Sequence, residues 1–487
     1  MSRISFHSIN HVMVLRVLGW LLLIESAFMV LPLLTSLYYE ELAPSIAFGI
    51  STAATLVTGC LMTLGFKPFS QNATMRKREG LLLTTSIWII FSIFGMLPYM
   101  LTGMSLTDSF FETISGFTTT GASVIDVDST YRGILMWRAL TQWIGGLGII
   151  LFTLAVLPML NYKGGIALFN AEMTGITHER LRPRVSQTAK DLWMVYVVLT
   201  VLMVAMLAYP MGWFDAVCCS LTTVSTGGFS TRSEGFMYWH STYIYAVVVL
   251  FMFLGGINFA MIYNVVRGKF KRLLNSDVFK WYSFIAFGVA VIVMVTHKTT
   301  DAGNSLYKRF IYSLYDTVSA LSSTGATLVN NGERGDFLLT LLMLLMFFGG
   351  MAGSTSGGAK LDRLIVMLKN MKNELYRVLH PNAVTAVRID GKSMSHLITS
   401  KIIAFLSIYM LVMLVVAIIL SFMGMGLTES VFTSLSAISS VGITADNISF
   451  AALDDVAKWL LSFEMLVGRL ELFTVLVIFT RSFWIKD

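Results

Sequence analysis

The segment Asp108-Ser-Phe-Phe-Glu-Thr-Ile-Ser-Gly-Phe-Thr-Thr-Thr-Gly121 is written four times in this chain. It returns without gaps at Asp215 to Gly228, Tyr312 to Gly325 and Glu429 to Gly442. Every copy except the third opens on an acidic residue, and Ser or Ala follows. Further in stand Thr113, Ser220, Thr317 and Ser434, each followed by an aliphatic residue and another hydroxyl. The copies end Thr118-Thr119-Thr120-Gly121, Ser225-Thr226-Gly227-Gly228, Ser322-Ser323-Thr324-Gly325 and Ser439-Ser440-Val441-Gly442. An acidic start suits a helix N-terminus, and the closing glycine permits backbone angles that a side chain forbids. The pattern predicts a short helix ending in an extended turn. Four such turns around one axis can aim carbonyl oxygens inward, where they replace the water shell of a monovalent cation.

The candidate ion-binding residues are therefore Thr119, Thr120 and Gly121; Thr226, Gly227 and Gly228; Ser323, Thr324 and Gly325; and Ser440, Val441 and Gly442. A ring without carboxylates suits a monovalent ion; a ring of Asp or Glu would suit a divalent one. Asp108, Asp215 and Glu429 lie too far upstream for such a ring, so they are expected to cap the short helices or to sit in solvent. The competing reading, four unrelated Ser/Thr-rich turns, does not explain copies in step at intervals of about 100 residues.

These turns need a membrane scaffold, and the composition supplies one. Of 487 residues, 55% are hydrophobic and 13% charged, against roughly 25% charged in ordinary soluble domains. Mean hydropathy is +0.73. Apolar stretches of about 20 residues, enough to cross a bilayer, are expected at 13–37 and 46–66 as a preceding pair. Further spans are expected at 80–101 and 134–160, 191–212 and 242–266, 278–296 and 337–379, and 398–423 and 456–482. Each later pair brackets one copy. Ten full spans follow, with an even number per repeat, so all four turns lie on one side. The linkers between repeats are basic (Lys163, Arg180, Arg182, Arg184, Lys190; Arg267 to Lys280; Lys360 to Lys392). The excess places the linkers and both termini in the cytoplasm and the turns toward the outside. The net charge of +7 reflects those loops, and no nucleic-acid surface is expected. Cys60, Cys218 and Cys219 read as small core residues.

Two further features carry chemistry. Residues 349–358 read Gly-Gly-Met-Ala-Gly-Ser-Thr-Ser-Gly-Gly. Each glycine costs a helix about 1 kcal/mol against alanine, and irregular backbone at membrane depth survives only inside protein or beside a watery cavity. Gly349, Gly350, Gly353, Ser354, Thr355, Gly357 and Gly358 are therefore candidates for a movable barrier below the ring; a packed helix kink is the alternative. Arg469 lies deep in a span, at a cost of roughly 2.5–3.5 kcal/mol. It should face a pore or a partner on another repeat, since Glu464 and Glu471 are not its neighbours on a helix. Gly145-Gly146, Gly255-Gly256 and Gly468 read as close-packing sites. The histidines are scattered without metal-ligand spacing, no phosphate-binding loop is present, and no catalytic constellation is expected.

Thr-Thr-Thr-Gly121, Gly227-Gly228-Phe229-Ser230-Thr231, the 349–358 loop and Gly468-Arg-Leu-Glu471 together resemble the Trk/Ktr/HKT superfamily of cation transporters. Because two extra spans precede the first repeat, the likeness is to its bacterial TrkH-type potassium-uptake branch. The resemblance implies an all-α polytopic membrane protein: four membrane helix–pore loop–membrane helix repeats around one pore, after a two-helix module. The expected divisions are 1–75 for the module, then 76–175, 176–270, 271–385 and 386–487. It also implies a homodimer in a bacterial inner membrane, with a cytoplasmic TrkA-type nucleotide-binding regulatory subunit. K⁺ would be the transported ion, with no organic cofactor in this chain. The loop and Arg469 would form the gate, and Gly121, where plant sodium carriers have serine, favours K⁺ over Na⁺. A secondary transporter for another small solute, a Na⁺-permeable relative and a membrane-embedded enzyme or scaffold are the competing classes.

Overall fold

The computed structural model describes residues 10–65, 77–148, 185–296, 305–328, 335–383, 385–445 and 448–484. Lys163, Arg180, Arg182 and Arg184 and the second half of the expected 134–160 span lie outside them. Two long helices open the described chain, α1 (His11–Tyr38) and α2 (Leu42–Leu64). Asn10 caps α1 by accepting from the Met13 amide. The two helices cross where Gly19 and Gly59 meet: a Cβ on either would lie 3.0 Å from the other's carbonyl oxygen. Small residues at the contact are what let apolar helices pack in a bilayer.

An order of elements then repeats four times: an outer helix, a short helix, a turn, and a helix that breaks. First come α3 (Lys77–Gly95), α4 (Leu97–Leu101), α5 (Leu106–Phe117) and α6 (Arg132–Trp143), which runs into a π turn at Ile144–Gly148. Next are α7 (Val185–Met211), α8 (Trp213–Val224), α9 (Thr242–Gly255) and α10 (Phe259–Val266), with α11 (Phe270–Asn275) as connector. The third set is α12 (Asp277–Thr296), α13 (Leu306–Leu321), α14 (Asp336–Phe348) and α15 (Leu361–Leu379). The fourth is α16 (His396–Phe422), α17 (Leu427–Ile438), α18 (Asp455–Arg469) and α19 (Phe473–Leu476). Between α15 and α16, Arg388–Ile389 (β1) pairs antiparallel with Lys392–Ser393 (β2) around Asp390-Gly391, both at positive φ, the geometry a two-residue hairpin turn requires.

Among the described residues six helices are long and apolar enough to cross a membrane, or seven with the bent pair α9 and α10 counted as one span. The class is thus the expected all-α polytopic membrane protein. The spans after the turns are interrupted, at 349–358 as its five glycines led one to expect, and elsewhere where a continuous span was expected. The α9–α10 pair bends by 107°, 337–379 divides at the glycine loop, and 456–482 stops at Arg469. The cause is steric. The breaks fall at Gly255, Gly349 and just after Gly468, while α6 passes into its π turn at Gly145. Gly145 and Gly468 let their helices reach the last carbonyl of the neighbouring short helix. A Cβ there would lie 1.8 Å from the Phe117 oxygen and 2.0 Å from the Ile438 oxygen, respectively.

The α1–α2 pair is tied to the first repeat by its connecting turn. Glu41 accepts from the Arg132 and Gly133 amides at 2.7 and 3.0 Å, which places a carboxylate on the N-terminus of α6. Arg132 lies over the Tyr39 ring at 4.3 Å. Gly133 faces α1 so closely that a Cβ would sit 1.9 Å from the Ser36 oxygen. Gly133→Val should therefore push α1 from α6 and cost about 1–3 kcal/mol by overpacking, read as an earlier thermal unfolding midpoint in detergent; an unchanged midpoint would show that the pair contributes no stability there.

Candidate functional site

The four short helices α5, α8, α13 and α17 end alike. In α5, the Thr119 amide donates to the Gly116 carbonyl at 2.9 Å and the Thr120 amide to the Ser115 carbonyl at 2.9 Å. The same pair of bonds recurs at Thr226 and Gly227, at Ser323 and Thr324, and at Ser440 and Val441. This is the Schellman closure of a helix, with its left-handed residue just past the cap. Here that residue is never glycine: Thr119, Thr226, Ser323 and Ser440 have φ of 54–55°. A left-handed non-glycine residue costs on the order of 1–2 kcal/mol, so the surrounding packing must impose it. Two residues on, Gly121, Gly228, Gly325 and Gly442 have φ of 74–84°.

The turns meet in a closed cycle. A Cβ on Gly121 would lie 2.1 Å from the Gly227 carbonyl oxygen, and one on Gly228 would lie 1.9 Å from that of Thr324. On Gly325 it would lie 1.8 Å from the Val441 oxygen, and on Gly442 2.2 Å from that of Thr120. Each glycine thus abuts the equivalent carbonyl of the next turn, and the fourth returns to the first. All twelve candidate turn residues are brought together in this ring. Hydroxyls tie the turns to their helices: Thr118 donates to the Ile114 carbonyl at 2.7 Å, and Ser439 pairs with the Tyr409 hydroxyl at 2.8 Å. The buried hydroxyls of Thr119 and Ser440 have no hydrogen-bond partner among the described residues.

Buried charge supports the ring from behind. Arg138 binds Glu112 at 2.7 Å, with both side chains almost wholly buried. Glu112 also accepts from the Val124 amide at 2.9 Å and the Ser123 hydroxyl at 3.0 Å. Arg138 continues to the Ser230 carbonyl at 3.1 Å and covers the Phe229 ring at 4.1 Å, so one ion pair joins the first two turns. Asp316 occupies the place of Glu112 in the third copy and accepts from the Leu328 amide at 3.2 Å. Lys458 of α18 binds Asp108 of α5 at 2.7 Å, which closes the fourth repeat on the first. Asp108, Asp215 and Glu429 all stand in the first turn of their helices, and Glu429 accepts from the Gly426 amide at 3.1 Å. On the loops beyond the ring, Ser233 donates through hydroxyl and amide to Asp128; these bonds hold the Asp128 carboxyl below its usual range.

The glycine loop lies against the same ring. The Thr355 hydroxyl donates to the Val224 and Gly255 carbonyls at 3.3 and 3.1 Å. The Gly357 amide donates to the Ser323 hydroxyl at 2.6 Å, and a Cβ on Gly357 would lie 2.1 Å from the Ser439 carbonyl oxygen. Internally, the Ser356 hydroxyl accepts from the Gly350 amide at 2.9 Å, and outward the Gly353 carbonyl accepts from the Phe259 amide of α10 at 3.0 Å. Gly349, Gly353 and Gly358 have φ of 65°, 80° and 77°. The Ser354 amide closes a turn on the Met351 carbonyl at 3.2 Å. Arg469 supplies the remaining side: it donates to the Thr355 carbonyl at 2.7 Å and to the Gly145 and Gly146 carbonyls at 3.0 and 2.8 Å. Loop and arginine together touch all four repeats. Glu471 pairs with Arg363 at 2.6 Å and Glu464 accepts from Ser434 at 2.6 Å, so both acids are engaged elsewhere, as their spacing from Arg469 predicts.

Sequence reasoning passed over Glu112, Arg138, Asp316, Gln142 and Lys458. For the four charged residues the signal was present, because ionisable side chains inside apolar spans are rare without a role. Four helix-end turns closed into a single ring, inside apolar helices, define a polytopic membrane protein with a fourfold internal repeat. The family model for TrkH, described as a cation transport protein, matches residues 52–484. The chain is 33% identical over 482 residues to the Trk system potassium uptake protein TrkH of Escherichia coli K12, covering 96% of this chain and 98% of that one. It is 35% identical over 492 residues to the TrkH of Halomonas elongata, covering 97% and 99%. The crystal structure of the potassium transporter TrkH from Vibrio parahaemolyticus superposes with a TM-score of 0.87 at 29% identity, covering 98% of this chain and all of that one. The chain belongs to the TrkH family, whose members are ion transporters and not enzymes.

Arg138→Met should leave the Glu112 carboxylate buried without its counter-charge and cost about 3–5 kcal/mol. The paired change Glu112→Leu with Arg138→Met should cost less than Arg138→Met alone. Thermal unfolding of the purified variants checks this; equal losses would mean that the ion pair is not what holds the two turns.

Proposed function

We propose that this protein is the membrane-embedded subunit of a bacterial potassium-uptake system. The observation that carries the reading is the closed cycle of four equivalent carbonyls, each pressed against the next turn's glycine. Such a ring can replace the hydration shell of K⁺, and the unpartnered Thr119 and Ser440 hydroxyls offer further oxygen ligands. In this reading Thr119–Gly121, Thr226–Gly228, Ser323–Gly325 and Ser440–Gly442 form the selectivity filter. Gly349, Gly350, Gly353, Ser354, Thr355, Gly357, Gly358 and Arg469 form the closed gate on its inner side. The relatives' names supply the ion: those described above are potassium uptake proteins or transporters. The four repeats at 76–175, 176–270, 271–385 and 386–487 follow the module at 1–75.

The chain sits in the inner membrane with both termini in the cytoplasm, as the basic linkers direct. A negative interior favours entry by about 2.3 kcal/mol per charge per 100 mV. Opening requires the loop to leave Val224, Ser323 and Ser439, and the Arg469 bonds to Thr355 and Gly146 must break with it. The exposed cations of α11 and α15, such as Lys271, Arg272 and Lys372, suit the docking of a TrkA-type nucleotide-binding regulator that drives this change. The functional unit is a homodimer with one pore per chain.

Rubidium uptake into proteoliposomes loaded with K⁺ tests the reading. Gly121→Asp should abolish uptake, because its side chain collides with the Gly227 carbonyl; undiminished uptake would refute the filter. Shortening 349–358 should raise flux in the absence of any regulator, and unchanged flux would reduce the loop to packing. The reversal potential under opposed K⁺ and Na⁺ gradients separates a K⁺-selective pore from a Na⁺-permeable one.

A further inference from the structure

One of the four turns departs from the others, and its departure is matched elsewhere. The residue before the filter glycine is Thr120, Thr324 or Val441 in three copies but Gly227 in the second. Gly227 is not at positive φ, so its backbone does not require glycine. Space does. A Cβ on Gly227 would lie 2.4 Å from Cδ, 2.5 Å from Oε1 and 2.7 Å from Nε2 of Gln142. Gln142 is wholly buried. Its Nε2 donates to the Gly227 carbonyl at 2.6 Å, and its Oε1 accepts from the Phe229 amide at 3.1 Å.

Gln142 is itself an exception. It stands three residues before the break glycine Gly145. The same place before Gly255, Gly349 and Gly468 is held by Met252, Met346 and Met465, all fully buried. The third and fourth repeats therefore combine methionine behind the ring with a side chain in the turn. The first and second together replace this with an amide behind the ring and no side chain in the turn.

Resting on the filter reading, we infer that Gln142 is a specificity-determining positioning residue. It holds the second turn from the first repeat and fixes the direction of one of the four ring carbonyls. A carbonyl oxygen has two lone pairs; the amide uses one and leaves the other for the ion. The bond also draws on the electron density that this oxygen offers. The ring is therefore fourfold in backbone but unequal in field strength, the property on which discrimination among alkali cations depends.

The test uses the full-length protein in proteoliposomes, with the K⁺-over-Na⁺ permeability ratio taken from reversal potentials alongside rubidium uptake. Gln142→Met should lower the ratio several-fold while the thermal midpoint and uptake persist; a merely structural residue would scale all ions together. Gly227→Thr should abolish uptake, and Gln142→Met with Gly227→Thr, which makes these repeats like the others, should restore it. A ratio unchanged in Gln142→Met, or a double variant no better than Gly227→Thr, would overturn the inference. Gly228→Ser separates the two levels. If it shifts the ratio and Gln142→Met does not, only the role of Gln142 falls; if neither does, the filter reading falls with it.

Discussion

The close approach of each turn's glycine to its neighbour's carbonyl is the constraint on which the rest of the structure depends. With that carbonyl about 2 Å from where a Cβ would stand, a side chain at Gly121, Gly228, Gly325 or Gly442 would have to displace the neighbouring turn. The contact runs in one direction around the ring, so each turn is located by the one before it and locates the one after. A cycle of this kind cannot be built from fewer than all its members. That explains why four copies are retained in one chain while the residues around them vary.

Holding backbone that tightly leaves strain and unpaired polar groups, and the surrounding helices absorb both. The left-handed Thr119, Thr226, Ser323 and Ser440 are imposed by Schellman bonds and by the helices pressing from behind. Glu112 and Arg138 sit at full burial, where an isolated charge would be prohibitive, because each satisfies the other and the backbone of two turns. The interrupted inner helices belong to the same economy of space. A continuous helix carries side chains all round; a helix that breaks at glycine can place its backbone against the base of the ring and free carbonyls there. The carbonyls freed at Gly145 and Gly146 are the ones Arg469 binds.

Much of this was legible. The four copies, their glycines, the apolar spans around them and the unusual 349–358 run follow from residue types and spacing alone. The interruption at 349–358 was readable because five glycines crowd into it; those at Gly145, Gly255 and Gly468 were not, since one or two glycines in a span usually mean only close packing. Glu112 and Asp316 were hidden because each copy was compared by what recurs, and their position varies as Glu, Cys219, Asp and Thr433. Asp390-Gly391 carried a hairpin signal, but two-residue strands fall below what alternation of apolar residues can mark. Glu25, buried in α1 with no hydrogen-bond partner for either oxygen among the described residues, had no pattern to join.

The sequence by itself determined the membrane class, the fourfold repetition and the turn chemistry, because hydropathy, period and glycine placement are local properties. Only the tertiary structure decided which turn meets which, that Arg469 reaches across to the first repeat and the loop, and that Gln142 accounts for Gly227. Those partners lie 85 to 324 residues apart. Their pairing is set by how helices close around an axis, and no spacing along the chain encodes that closure.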